Sequence, residues 1–298
     1  MPEYPSNWPP KRSNTHQIQQ MTLLWKHCAT VLVFCAMAVG SSLRSEAQDR
    51  DANLPDNPSP VAQAVNQTSQ FPTDREETWK ALPRDFLHDQ KAIWLSPIQL
   101  AHGRGWLPVL VVAGGTAGLI YADPHAMPYF RDHAKNLDDI NDVFDPTITT
   151  AEVVVIPVSL LTVGYIRHDT YAISTALLAA DAYADSAVVD LVAKAITRRE
   201  RPSDVPSGVP FTNTFFNGGK SPFKGSSFPS GHAAGAFSIA TVVATRYSRH
   251  RWVPWAAYGF ATVISLSRIT SLAHFPSDVF SGAALGYTVT RFQVLRPR

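Results

Sequence analysis

The chain has 298 residues, 45% hydrophobic and 17% charged, with a formal net charge of +2, 23 prolines and two cysteines. That length allows one large domain or two small ones, and the charge balance lacks the basic excess of a nucleic-acid binder. Both cysteines, Cys28 and Cys35, lie in one apolar run near the N-terminus, which excludes a disulfide framework or a cysteine-rich zinc site.

The apolar run from Cys28 to Val39 has secretory length and is short for a bilayer crossing. Lys26 and His27 precede it, and Ser45-Glu46-Ala47 follows as a small-x-small cleavage pattern, so residues 1–47 read as a signal peptide. The first twenty residues make a long n-region, and a start at Met21 would give a more ordinary leader. The competing reading is an uncleaved membrane anchor. Cleavage after Ala47 removes four basic and two acidic residues and leaves 22 of each, a net charge of zero. An anion would then be captured by a local cluster and not by the overall field.

Residues 48–78 are rich in Asp, Asn, Gln and Pro, the composition of a disordered linker, and the folded domain is expected over 79–298. Trp79, Trp94 and Trp106, with a break at Pro97, mark amphipathic lead-in segments. Six helices are expected at about Leu107–Ala122, Ala151–Ile166, Tyr171–Ile196, Gly231–Tyr247, Val253–Arg268 and Ser277–Val294. Small residues recur within them, as close helix packing requires, and no period-2 alternation of any length appears. The fold class is all-α, a bundle with a six-helix core. Between the third and fourth helices, Pro202 to Phe228 is dense in Gly, Pro, Ser and Asn and carries Phe211, Phe215, Phe216, Phe223, Lys220 and Lys224. Its length and its place beside the motifs below point to a substrate-side lid, against the simpler reading of a surface loop.

Three motifs carry chemistry. Lys194 and Arg201 are seven apart, so two helical turns put both cations on one face before Pro202 ends the helix. Phe228-Pro229-Ser230-Gly231-His232 opens the fourth helix: Ser230 suits an N-cap, Gly231 admits a ligand to the backbone N–H groups, and His232 stands beside them as a proton donor. Pro206-Ser207-Gly208 repeats the tripeptide without the histidine and reads as a turn. Ser267-Arg268 closes the fifth helix, and His274 and Asp278 follow at i and i+4, a spacing that brings carboxylate to imidazole. Each motif alone has an ordinary structural reading. In an up-down bundle, however, the end of helix three, the start of four, the end of five and the start of six share one side. Lys194, Arg201, Ser230, Gly231, His232, Arg268, His274 and Asp278 then converge as a phosphoryl-transfer site.

Lys194-x6-Arg201-Pro202, Pro229-Ser230-Gly231-His232 and Ser267-Arg268-x5-His274-x3-Asp278 resemble the tripartite signature of the type 2 phosphatidic acid phosphatase (PAP2) superfamily, which also holds class A acid phosphatases and vanadium haloperoxidases. All eleven specified positions match, and the resemblance runs from about Leu107 to the C-terminus. It implies a six-helix core and a metal-independent, cofactor-free hydrolysis of phosphate monoesters, lipid-borne or small and soluble. By that resemblance His274 is the nucleophile forming a phosphohistidine, Asp278 orients it, and His232 protonates the leaving alcohol and then activates water. Lys194, Arg201, Arg268, Ser230 and the Gly231 amide hold the phosphate oxygens. Asp138, Asp139, Asp142 and Asp145 fit no EF-hand spacing and read as a solvated loop. His88, His102, His125, His133, His168 and His250 have no partner at catalytic spacing; His125 and His133 are expected in the loop after the first helix, on the active side.

Two other function classes share these residues: a vanadate-dependent haloperoxidase, and a non-catalytic envelope protein with a relict phosphate pocket. Membrane topology pulls two ways. A basic turn of Arg246, Arg249, His250 and Arg251 places the opposite, active side outside the cytoplasm if the helices span, and a cleaved leader conflicts with six full spans. Short candidate spans, a mean hydropathy of −0.07 and Asp181, Asp185 and Asp190 in helix three speak for incomplete spanning. Trp106, Trp252 and Trp255 at helix ends, and the lipid-phosphatase look of Phe-Pro-Ser-Gly-His-Ala, speak for a membrane. The expectation is an exported, periplasmic or extracellular protein that associates with a membrane and acts on a phosphate-ester or lipid-phosphate substrate.

Overall fold

A helix with no solvated face needs apolar or small residues all round, and Gly231–Arg246 (α5) is such a helix, with Ala233, Ala234, Ile239, Ala240 and Val242 buried in succession. The computed structural model describes residues 75–101, 106–134, 146–218 and 226–296, and the expected signal peptide and residues 48–74 lie outside them. Its helices are α1 (Leu82–Ala101), α2 (Trp106–His133), α3 (Pro146–Arg167), α4 (Thr170–Thr197), α5, α6 (Trp252–Thr270) and α7 (Pro276–Val289), followed by a π-helical turn (Thr290–Val294). No strand occurs among the described residues, and the all-α expectation holds.

Around α5 pack α4, α6 and α7, with α3 on the α4 side and α2 against α7. The approach of α7 to α5 is so close that backbone meets backbone. A Cβ added at Gly286 would overlap the Ala234 carbonyl, and one at Gly282 the Ser230 carbonyl. Gly286→Ala is therefore expected to cost about 1–3 kcal/mol of stability, read as a lowered midpoint in thermal or denaturant unfolding.

Several boundaries depart from the sequence expectation. Helix α1 runs continuously through Pro97, where a break was expected. Helix α2 continues eleven residues past Ala122, through Pro124 and Pro128, so His125 and His133 lie on a helix and not in a loop. Two buried residues in those turns explain the extension: Asp123 is ion-paired to the α4–α5 segment, and Met127 packs with Val205, Phe211 and Phe275. Tertiary anchoring outweighs the lost hydrogen bonds of two prolines. Both α2 and α4 have 28 residues, and among the described residues α2 is the one that is also apolar enough to cross a membrane.

The three aspartates of α4 all face the interior, and each has a specific donor. Asp181 meets Arg75 at 3.2 Å, Asp185 accepts from Gln90 at 2.8 Å and Asp190 meets Lys194 at 2.6 Å. Arg75 belongs to the segment that composition assigns to linker, yet it is buried. Its guanidinium also reaches Glu77 (2.6 Å), Asp89 (2.8 Å) and the Val294 carbonyl (2.8 Å), tying the segment before α1 to the end of the bundle. Arg246 is likewise buried, bonded to Thr175 (2.8 Å) and the Arg75 carbonyl (2.8 Å). It is therefore a core residue and not part of a solvated basic turn.

Candidate active site

The site is assembled where α4 ends, α5 and α7 begin and α6 ends, the common side expected from the up-down arrangement. Three backbone hydrogen bonds join these ends. Ser230 N–H donates to the Asp278 carbonyl (2.9 Å), and the N–H groups of Ala273 and His274 donate to the Arg268 carbonyl (3.1 and 3.0 Å). Ser230 caps α5 as its sequence position predicts, its buried side chain accepting from Ala233 N–H. Ser230 thus takes up one N–H group of the first turn of α5, and the positive end of the helix dipole lies at that turn. Helix α7 starts with Pro276 at its first turn, and Asp278 accepts from Phe275 N–H at 2.8 Å.

His274 lies buried in the segment before α7, and its Nδ1 is 2.7 Å from the Ser227 carbonyl oxygen. A carbonyl only accepts, so Nδ1 carries the hydrogen and Nε2 keeps its lone pair. The resemblance assigns the orienting role to Asp278. Its Oδ2 is 3.7 Å from Nδ1, an electrostatic neighbour, while the hydrogen bond itself goes to Ser227. Burial pushes the imidazole below the usual histidine pKa, against the pull of the Asp278 carboxylate, so His274 is neutral at neutral pH. With Nε2 as the expected nucleophile, its protonation removes the lone pair, and activity is expected to fall as pH falls. Because the titration is displaced downward, the acid limb of kcat/KM is expected below about pH 6.5, where an ordinary histidine would put it. An acid limb at or above that value would contradict this.

Lys194 lines a cavity of about 270 Å³ together with Asp190, Gly231 and His232, and with Val153, Tyr183 and Ala187 as less polar walls. A Cβ at Gly231 would lie 3.0 Å from both Lys194 Nζ and Asp190 Oδ2, so glycine lets the cation sit against the first residue of α5. Arg268 is fully buried at the end of α6, with Nε and Nη2 on Ser267 Oγ at 3.2 and 3.1 Å. Arg201 departs from the expected geometry. Helix α4 stops at Thr197, and Arg198 takes a left-handed conformation (φ 42°) while its N–H caps Lys194 O. Arg201 is therefore an exposed residue beyond the helix, although its charge still bears on His274.

Two residues absent from the sequence expectation underlie the site. Arg199, almost wholly buried, donates to Asp278 Oδ1 (2.6 Å), Asp123 Oδ2 (2.7 Å), Ser277 Oγ (2.6 Å) and Thr214 Oγ1 (3.0 Å). It stacks on Phe275 at 3.9 Å and on Phe215 at 4.5 Å. Burial works to raise the Asp278 pKa, but His274 and the Arg199 guanidinium overcome it and hold the carboxyl below its usual range. Asp123 and Ser277 complete the network. The described part of the 202–228 segment is anchored to this side. Arg131 donates to the Pro202 and Val205 carbonyls (3.0 Å each) and stacks on Phe211. Gly208 forms the expected turn, with φ 82° and a 3.1 Å bond from Val209 N–H to the Pro206 carbonyl. Lys220, Phe223 and Lys224 of that segment, His102 and the acidic run from Asp138 to Asp145 lie outside the described residues. His125 and His133 are exposed on α2, with His133 stacked on Tyr129.

Residues 172–296, spanning α4 to the π turn, match the model of the PAP2 superfamily. Over that stretch the chain is similar to the PAP2 superfamily. Over 64 residues it is 45% identical to a lipid A 1-phosphatase of Porphyromonas gingivalis, a stretch that is 21% of this chain and 14% of that relative. It is also similar, at 20% identity and a TM-score of 0.38, to the crystal structure of a transmembrane PAP2-type phosphatidylglycerolphosphate phosphatase from Bacillus subtilis. That alignment covers 71% of this chain and 91% of the other. All eight expected site residues fall within the PAP2 match, whereas Asp123 lies before it.

Proposed function

We propose that this PAP2 domain hydrolyses phosphate monoesters through a phosphohistidine on His274, with a lipid phosphate as the preferred substrate class. The observation that carries the reading is a buried, neutral imidazole whose Nδ1 is committed to the Ser227 carbonyl, in the field of Lys194 and Arg201. Nε2 attacks phosphorus, the P–O bond to the alcohol breaks, and His232 gives its proton to the departing oxygen. Water, deprotonated by His232, then displaces Nε2 and releases inorganic phosphate. Lys194, Arg201, Arg268, Ser230 and the α5 amides offset the charge on the transferring group.

The lipid preference is supported by surface chemistry. Among the described residues, α2 is the one helix long and apolar enough to cross a membrane, and almost none of its apolar stretch is buried. Leu107, Leu110, Val111 and Tyr121 (79% exposed) face outward from it. A surface of this kind fits a bilayer better than water. The cavity beside Lys194 and His232 also has Val153, Ala187, Leu191 and Ala234 in its wall, suited to an acyl or isoprenyl chain next to a phosphate. We place the active side outside the cytoplasm, on an exported, membrane-associated protein. The test compares release of inorganic phosphate from a diacyl phosphate in mixed micelles with release from a water-soluble aryl phosphate. Faster turnover of the lipid is expected. Turnover of the soluble ester alone would remove the lipid assignment, and turnover of neither would remove the phosphatase.

A further inference from the structure

Lys194, the cation nearest the start of α5, is already engaged. Its Nζ is 2.6 Å from Asp190 Oδ2, one turn earlier on α4, and the Asp190 side chain is almost wholly buried. Asp190 Oδ1 is buried too and has no hydrogen-bond partner. The pair is pressed against Gly231, and Asp190 lines the same cavity as Lys194 and His232. A carboxylate in a phosphate pocket is costly, because two like charges would share one cation. A doubly charged phosphoryl group cannot take over Lys194 while Asp190 keeps its charge, unless it overcomes that repulsion.

Resting on the phosphatase reading, we infer that Asp190 is the resident counter-ion of Lys194 and a proton-linked positioning residue: the phosphoryl group displaces it from the ammonium, and Asp190 accepts a proton as it lets go. With a monoanionic ester the proton passes from phosphate oxygen to Oδ1, leaving a neutral carboxyl and a dianionic phosphoryl group on Lys194. With a dianionic ester the proton comes from solvent. The groups around Asp190 are consistent with this exchange. Its own helix supplies Lys194, α5 supplies His232, the segment before α7 supplies His274, and α3 supplies apolar Val153. Burial pushes the carboxyl upward, opposed by Lys194 and His274, so protonation is already favoured relative to an ordinary aspartate. The consequence is a site that takes phosphate more readily as pH falls.

The test is the inhibition constant of inorganic phosphate against the full-length enzyme and its Asp190→Asn variant between about pH 5 and pH 8. Titration of phosphate itself is common to both proteins and cancels in the ratio. The wild type is expected to bind phosphate more weakly than Asp190→Asn at the alkaline end. The ratio should rise with pH by up to about tenfold per unit and approach one at the acid end. A ratio constant across pH overturns the inference, as does weaker binding by the variant throughout, which is what a purely structural hold on Lys194 would give. Asp190→Ser carries the same comparison if the asparagine variant does not fold. The unaltered enzyme adds a measurement of its own: net proton uptake on phosphate binding at neutral pH, read by calorimetry in buffers of different ionisation enthalpy, is expected, and zero uptake or net release overturns it. If the wild type neither hydrolyses a monoester nor binds phosphate, the phosphatase reading itself fails; a constant ratio between two active proteins sinks the inference alone.

Discussion

Replacing His274 with alanine is expected to lower kcat on the order of 10⁴-fold or more, with the protein still folded. The expected loss is this large because no other group in the site can take over. His232 sits on α5 and is the proton donor of the proposed cycle, and the remaining polar groups bind charge without offering a lone pair on nitrogen. The variant leaves the buried Ser227 carbonyl without its donor, at a cost of about 1–3 kcal/mol, so its unfolding midpoint should drop by several degrees with the fold retained. The sharper readout is the intermediate. Quenching the wild type during turnover of a phosphorus-labelled ester should leave acid-labile, base-stable label on the protein, and His274→Ala should carry none. Label that persists in the variant would move the nucleophile elsewhere. A folded variant with near-normal turnover would end the mechanism altogether.

The second large effect is expected at a residue that touches no substrate. Arg199→Met leaves the carboxylates of Asp278 and Asp123 buried together without the guanidinium that now separates and neutralises them. Removing one partner of a buried ion pair costs about 3–5 kcal/mol, and here one cation serves two anions, so the upper part of that range is expected. Denaturant unfolding in detergent measures it. Asp123→Asn should be much milder, since an amide still accepts from Arg199 and removes a charge. Combining Arg199→Met with Asp123→Asn should recover part of the loss, because one unpaired anion is better than two. Activity should fall beyond the loss of folded protein. Asp278 is held in register with Phe275 N–H, and so with the start of α7, by the same network that holds it near His274. If Arg199→Met is as stable as the wild type, the network is decorative and Asp278 is positioned by the α7 cap alone.

The site was legible to different depths. The Ser230 cap at the start of α5 was readable because an N-cap is a local device: serine before a helix works the same way in any fold. The pairing of His274 with Asp278 was half readable. The spacing is right for proximity, but the tighter partner is a backbone carbonyl, and carbonyls leave no mark in a sequence. Arg201 misled for a specific reason. Counting two turns from Lys194 assumes the helix continues, and Arg198 ends it in a left-handed turn three residues earlier. In the run Arg198-Arg199-Glu200-Arg201, nothing local marks Arg199 as the buried member.

Composition, helical periodicity and the three motifs were enough to determine an all-α bundle and the side on which the motifs gather. These rest on short-range rules of side-chain spacing and capping, which survive without knowledge of the neighbours. Tertiary structure alone decided that Arg199 and Asp123 lie beneath the site, that Ser227 rather than Asp278 takes the imidazole hydrogen, that α2 runs on through two prolines, and that Arg75 and Arg246 are core residues. Each of those outcomes depends on which charge is desolvated beside which partner. Desolvation is a property of packing between segments distant in sequence, 47 residues apart for His274 and Ser227 and 219 for Arg75 and Val294, and a linear chain carries no local trace of it.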